Sequence, residues 1–151
     1  MFRGLSAVTL DEKGRLSIPA RHRDTLQRDA KGSLVLTIDT ESPCLLLYPQ
    51  PHWEVIEQKL SQLSSFNPAT RRIQRLLIGH ATEVEMDRGG RILIPTVLRD
   101  YASLAHSVMM VGQGQKFELW SEEAWGQARA EWIADKSDPE HLPPELTQLS
   151  L

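Results

Sequence analysis

The stretch Asp11-Glu12-Lys13-Gly14-Arg15-Leu16-Ser17-Ile18-Pro19 returns later in the chain as Asp87-Arg88-Gly89-Gly90-Arg91-Ile92-Leu93-Ile94-Pro95. Asp, Gly, Arg, an aliphatic residue, Ile and Pro hold the same places in both, so an internal repeat has to be settled before any local motif is read. Each copy has the grammar of one small unit: a strand end, a tight turn, an arginine, a second strand, and a proline suited to open a helix. The same register pairs Leu10 with Met86, Arg23 with Arg99 and Asp24 with Asp100. Further on, Ser33-Leu34-Val35-Leu36 matches Ser107-Val108-Met109-Met110, and Tyr48 and Trp53 match Trp120 and Trp125, at slightly shorter offsets. A whole unit is duplicated, with two small deletions in loops.

Within the first unit, Leu5 to Leu10 reads as a strand, Lys13-Gly14 as the turn and Arg15 to Ile18 as a half-buried strand with polar and apolar residues alternating. Pro19 fits the first helical position, where its missing N–H is no loss, and predicts a short helix over 20–27. Ser33 to Asp39 and Cys44 to Tyr48 then form a hairpin around Thr40-Glu41-Ser42-Pro43. The second unit repeats the order: strands over 80–86 and 91–94, a helix from Pro95 to Ala102, and a hairpin of 107–111 with 116–120 around Gly112-Gln113-Gly114-Gln115. No helix follows those glycines, so they read as a hairpin turn and not as a phosphate loop.

Between the units, Trp53, Ile56, Leu60 and Leu63 form one apolar helical stripe, and Asn67-Pro68 caps a second helix running to Gly79. There Ile73, Leu76 and Leu77 share a face opposite Arg71, Arg72 and Arg75. A helix over 121–134 mirrors the first connector, with Trp125, Ala128 and Trp132 spaced for packing. The expected organisation is therefore a repeat over 1–51, connecting helices over 52–79, a second repeat over 80–120, a C-terminal helix over 121–134, and an acidic, Pro-containing tail over 135–151 without fixed structure.

At 151 residues the chain suits one domain or two half-sized units sharing a core. No apolar run approaches the roughly 20 residues that cross a bilayer, and Met1-Phe2-Arg3-Gly4 lacks a signal-peptide core, so a cytoplasmic location is expected. The net charge is −3, yet residues 1–31 and 71–99 are each net +3 while 117–151 are net −6. Local basicity is hidden in the total, and it is local charge that a polyanion meets.

Catalytic groups do not converge in this sequence. His22, His52, His80, His106 and His141 stand singly with no ligand partner at metal spacing, and no Gly-x-Ser-x-Gly, Walker or His-Glu-x-x-His pattern occurs. Cys44, beside Pro43, has no basic neighbour in sequence to favour a thiolate and reads as a buried strand residue; His80, at a helix end, reads as a packing or capping residue. Asp11 and Asp87 lack the Thr-Gly that shapes an acid-protease loop. No enzyme, metal or cofactor is expected. The Asp-x-x-x-Arg turn itself has a bland reading, in which Asp merely satisfies the backbone of the bend and pairs with Arg. Its retention in both copies, beside positions that vary, favours a working role: Asp11 and Asp87 as braces, Gly14 and Gly90 setting the bend, and Arg15 and Arg91 directed toward phosphate or guanine edges with Lys13 and Arg88 beside them.

These residues resemble those of the MraZ family of bacterial transcriptional regulators, itself similar to the AbrB-like DNA-binding superfamily. The resemblance spans nearly the whole chain and is carried by Met1-Phe2-Arg3-Gly4, both Asp-to-Pro stretches, Cys44-Leu45-Leu46-Leu47-Tyr48-Pro49, and Arg71 through His80. It implies an α+β fold with a mainly β core, in which tandem swapped-hairpin units form one intramolecular pseudo-dimer barrel with peripheral helices. It also implies chains joined into a ring homo-oligomer, associated with the nucleoid, that binds double-stranded DNA at promoter repeats of the division and cell-wall gene cluster. On matching positions the DNA role falls to Arg15 and Arg91, braced by Asp11 and Asp87, with Lys13 on phosphate and Arg3 and Arg88 as further basic contacts. Arg88 stands where the first turn has Glu12, so the second turn either contacts DNA differently or leans on its own Asp87. The competing reading is a structural ring-forming assembly protein, in which basic segments dock on the acidic C-terminal stretch of a neighbour.

Overall fold

The computed structural model describes residues 1–136 and 141–151. The chain runs β1 (Phe2–Thr9), β2 (Arg15–Ser17), α1 (Ala20–Ala30), β3 (Ser33–Ile38), β4 (Leu45–Pro49), α2 (Gln50–Ser61) and α3 (Pro68–Ile73), which continues as a π-helical stretch over Gln74–Ile78. It then repeats as β5 (Thr82–Glu85), β6 (Arg91–Leu93), α4 (Thr96–Tyr101), β7 (Ser107–Gly114), β8 (Lys116–Ser121) and α5 (Glu122–Ala134), followed by a single helical turn, α6 (Pro144–Thr147). The fold is α+β, built on an antiparallel six-stranded sheet of order β1-β7-β8-β4-β3-β5, with a separate two-stranded ribbon of β2 and β6.

The pairings cross between the repeats. β1 lies along β7, with Phe2 opposite Gly114 and Thr9 opposite Ser107. Its counterpart β5 lies along β3, with Ser33 opposite Glu85. Hairpins β3–β4 and β7–β8 meet through β4 and β8. Exchanging every strand for its counterpart in the other repeat leaves the sheet order unchanged. The bend at Lys13-Gly14 is local, but it joins no ordinary hairpin, because β1 and β2 share only the bridge Leu10–Leu16.

The core follows from this crossing. Leu16 and Ile18, with Ile92 and Ile94, project from one face of the ribbon into the same cluster as Leu34, Leu36, Leu45, Leu47, Phe117 and Leu119 from the sheet. On the sheet's other face, Val35, Leu46 and Tyr48 bury Trp53 of α2, and Leu77 of the π-helical stretch packs on the group. Truncating a fully buried member such as Leu16 or Leu47 to Ala removes ~2–5 kcal/mol by the usual sum of transfer and cavity terms.

Several local expectations shift by a residue or a turn. Pro19 and Pro95 precede their helices as extended capping residues, at φ −56° and −58°, and do not occupy the first helical position. α1 continues to Ala30 because His22, Leu26 and Ala30 form a buried stripe at i, i+4 and i+8. It stops where Lys31 and Gly32 turn to positive φ and donate back to Gln27 and Leu26 carbonyls. Gly112 and Gly114 belong to β7, and the hairpin bends tightly at Gly114-Gln115, with no phosphate loop. Asn67 does cap α3, accepting from Ala69 N–H at 2.9 Å and Thr70 N–H at 3.3 Å. Trp53 is buried on the expected stripe, but Leu63 falls beyond the end of α2 and is exposed. His80 caps the helical end, its Nδ1 lying 2.7 Å from Leu76 O. Cys44 is buried beside β4, and burial pushes its thiol pKa up. The tail read as lacking fixed structure falls partly on residues 137–140, which lie outside the described residues; the described part includes α6. Among the described residues no helix is long and apolar enough to cross a membrane, and no group of three His, Cys, Asp or Glu side chains is placed to hold a metal ion.

Candidate nucleic-acid interface

The two turns are closed by the same backbone bonds. Asp11 N–H donates to Arg15 O at 2.9 Å and Gly14 N–H to Asp11 O at 3.0 Å; Asp87, Arg91 and Gly90 repeat both bonds at the same lengths. Such a bend needs a residue at positive φ, which Gly14 (85°) and Gly90 (75°) supply without steric cost. Each aspartate then works twice. Asp11 Oδ1 accepts the N–H groups of Lys13 (2.9 Å) and Arg15 (2.8 Å), while its Oδ2 accepts Arg15 Nε–H at 3.1 Å. Asp87 Oδ1 accepts Arg91 N–H at 2.9 Å and its Oδ2 accepts Arg91 Nε–H at 3.3 Å. The backbone N–H of Arg15 is the largest influence holding the Asp11 carboxyl below its ordinary pKa, and that of Arg91 does the same for Asp87. Both braces stay ionised at neutral pH.

What this leaves free matters most. Only Nε of Arg15 and of Arg91 is engaged, so among the described residues the terminal Nη amino groups of both guanidinium groups have no protein partner. A guanidinium fixed at Nε with its outer edge open suits bidentate donation to phosphate or to guanine O6 and N7.

The register of β2 against β6 places these edges together. Arg15 lies opposite Leu93, Leu16 opposite Ile92 and Ser17 opposite Arg91. Ile18 N–H to Gly90 O and Ile94 N–H to Gly14 O, both 2.8 Å, extend the ladder into each turn. Side chains directly opposite share a face, so Arg15, Ser17, Arg91 and Leu93 face outward while Leu16 and Ile92 are buried. Arg15 and Arg91 are diagonal neighbours on that face, a separation of roughly 7–8 Å or somewhat less at Cβ. The two turns therefore contribute to one surface.

Lys13 and Arg88 lie exposed in the bends flanking this surface. Arg88 makes no ion pair with Asp87, whose oxygens serve Arg91, so the second turn offers a cation unpaired among the described residues where the first has Glu12. Arg3 stands elsewhere. It sits at the start of β1, opposite Gln113, and the length of that strand separates it from Asp11 by roughly 20–25 Å.

Two residues beneath the turns had no assigned role from sequence. The Arg99 guanidinium lies against Gly14, where an added Cβ would come within 2.8 Å of Arg99 Cζ, and the Arg23 side chain lies against Gly90 closer still. Each repeat thus backs the other's turn glycine. Arg23 is held by Nε–H to Ile18 O at 2.6 Å, and Arg99 by Nη2–H to Thr96 Oγ1 at 2.9 Å. Their in-register spacing was the available signal; the crossing that gives it meaning is a tertiary fact.

A family model described as "MraZ protein, putative antitoxin-like" matches the chain twice, over residues 1–76 and 77–141. The chain is 60% identical, over the full length of both proteins, to a Coxiella burnetii (strain Dugway 5J108-111) protein named "Transcriptional regulator MraZ". It is 55% identical, again over both full lengths, to proteins of the same name from Legionella pneumophila (strain Corby) and Serratia proteamaculans (strain 568).

Proposed function

The chain belongs to the MraZ family, and on that premise we propose that it is a transcriptional regulator that binds double-stranded DNA through the outward face of the β2–β6 ribbon. The observation that carries this reading is the pair of arginines, each braced at Nε, with their outer edges free on one two-stranded ribbon. The major groove of B-DNA admits such a ribbon, and Arg is its commonest specific reader, bidentate to guanine. Each brace offsets the charge of its arginine, so the pairs direct donors more than they add attraction. Attraction to phosphate comes from Lys13 and Arg88 in the exposed bends. In this reading residues 1–51 and 80–120 are the two AbrB-like repeats of an intramolecular pseudo-dimer barrel, a description that the exchange symmetry of the sheet supports.

One ribbon offers few contacts, so several copies joined in a ring gain affinity through effective concentration and favour DNA with repeated short sites, such as promoter repeats of the division and cell-wall gene cluster. Selection of bound fragments from a random pool tests the reading. A short motif repeated at constant spacing is the expected product, and a pool without enrichment would reject sequence-specific binding. Unchanged gel shifts by Arg15→Ala and Lys13→Ala proteins with intact folds would reject the ribbon as the reading element.

A further inference from the structure

The outward face of the ribbon is symmetric in its arginines but not in the residues beside them. Arg15 lies opposite Leu93 and Arg91 opposite Ser17, and Ser17 and Leu93 hold the same place in the two repeats. One arginine therefore has an apolar neighbour and the other a hydroxyl. Leu93 is 57% exposed, although Ile92 and Ile94 on either side of it are buried. The contrast continues into the helices that follow. Arg21 of α1, whose Nη2–H donates to Ser6 Oγ at 2.6 Å, stands where α4 carries Val97, 67% exposed.

A single exposed leucine needs no explanation on an ordinary surface. Leu93, however, shares the face that carries the open guanidinium edges of Arg15 and Arg91. Nor does the fold call for a leucine there. Ser17 fills the counterpart position while its neighbours Leu16 and Ile18 are as deeply buried as Ile92 and Ile94, so the ribbon accepts a polar residue in that register. A leucine gains nothing from phosphate oxygens. On the base edges of the major groove, the apolar feature is the 5-methyl group of thymine, and apolar side chains are its partners.

We propose that Leu93 reads a thymine methyl group beside the guanine that Arg15 contacts, so that the two halves of the ribbon read different sequences. Directly opposed side chains have Cβ atoms about 4.5–5.5 Å apart, and successive bases of one strand rise about 3.4 Å. The thymine thus lies about one or two base pairs from that guanine. On the other half, the Ser17 hydroxyl both donates and accepts, and beside Arg91 it carries no preference for a methyl group. Burying one methyl group against Leu93 corresponds to about a fourfold gain in affinity. This inference rests on the reading of the ribbon as the DNA-binding face and names a further base that it distinguishes.

The test titrates the full chain against the motif selected from the random pool, with each thymine replaced in turn by deoxyuridine. That replacement removes the methyl group and keeps the base pair. One replacement, within about two base pairs of the guanine whose preference Arg15→Ala relaxes, should weaken wild-type binding about fourfold. Leu93→Ser, which installs the residue already tolerated at position 17, should bind the thymine and uracil sites alike. Light scattering separates base reading from assembly, and the variant should keep the wild-type particle mass. A motif with no thymine in that window, a wild type indifferent to every replacement, an effect that persists in Leu93→Ser, or a variant of altered mass each overturns the role of Leu93 alone. A wild type that binds no DNA, or whose binding is unchanged by Arg15→Ala, overturns the ribbon reading and this inference together.

Discussion

At the scale of single residues, the two arginines are nearly the same device. Their Nε–Oδ2 distances, 3.1 Å and 3.3 Å, differ little, and their outer edges are equally free. Sequence comparison favours Arg15, because the second bend carries Arg88 in place of Glu12; the geometry gives no such preference. Arg15→Ala and Arg91→Ala are each expected to lose ~1–3 kcal/mol of binding to the selected site and to relax preference at one base pair. Titrations against matched and mutated sites measure both effects. Lys13→Ala should instead weaken all sequences alike and flatten the dependence of log K on log salt by about one unit. A different residue governs stability against pH. His22 is buried between Phe2 and Phe117, with ring centroids 5.9 Å and 4.8 Å away, and desolvation lowers its pKa. The unfolded chain binds this proton more readily, so the stability that His22 permits is complete above about pH 6.5 and declines as pH falls toward the lower folded value. The Asp11 and Asp87 braces also lose stability on acidification, but only below the ordinary carboxylate range. Thermal unfolding between pH 8 and 5 isolates the histidine: wild type should lose melting temperature over that interval, and His22→Leu should lose less.

At the scale of elements, the strands, both bends, the helix-opening prolines and the Asn67 cap were legible because each depends on neighbours in sequence. Asn67→Ala should cost ~1 kcal/mol through two orphaned N–H groups at the start of α3. Gly90→Ala should cost roughly 1–2 kcal/mol from positive φ alone, before the Arg23 side chain is moved aside. Denaturant midpoints with unchanged slopes check both values. The partner of each strand was not legible from the residues themselves. Arg15 to Ile18 alternates equally well whether it pairs back onto 5–10 or across onto β6, and only the second arrangement puts Leu16, Ile18, Ile92 and Ile94 over one sheet. For the same reason the convergence of Arg15 and Arg91 could not be read from the turn motif. The opposing positions of Arg99 on Gly14 and Arg23 on Gly90 were hidden with it.

At the scale of the whole molecule, the crossing makes the repeats interdependent. Separated from residues 80–151, the first repeat would lose β7 along β1, β5 along β3, β8 along β4 and β6 along β2. Of the sheet it would retain only the β3–β4 hairpin, with α1 and α2 packed against it, and it would expose much of the shared cluster, and a lone two-stranded hairpin is at best marginally stable. Fragments 1–79 and 80–151 should therefore each show little protected amide hydrogen when isolated. Mixed at equal concentration they should regain the β-sheet circular dichroism of the intact chain, because every lost partner is in the other fragment. The regained signal should depend on concentration, unlike that of the intact protein, and Leu16→Ala should weaken reassembly more than it weakens the intact fold. DNA binding supplies a second readout of the same event: the ribbon takes one strand from each fragment, so binding should appear only in the mixture. A first fragment that folds and binds as a monomer would show that each repeat carries a complete site, and the shared ribbon would then be abandoned.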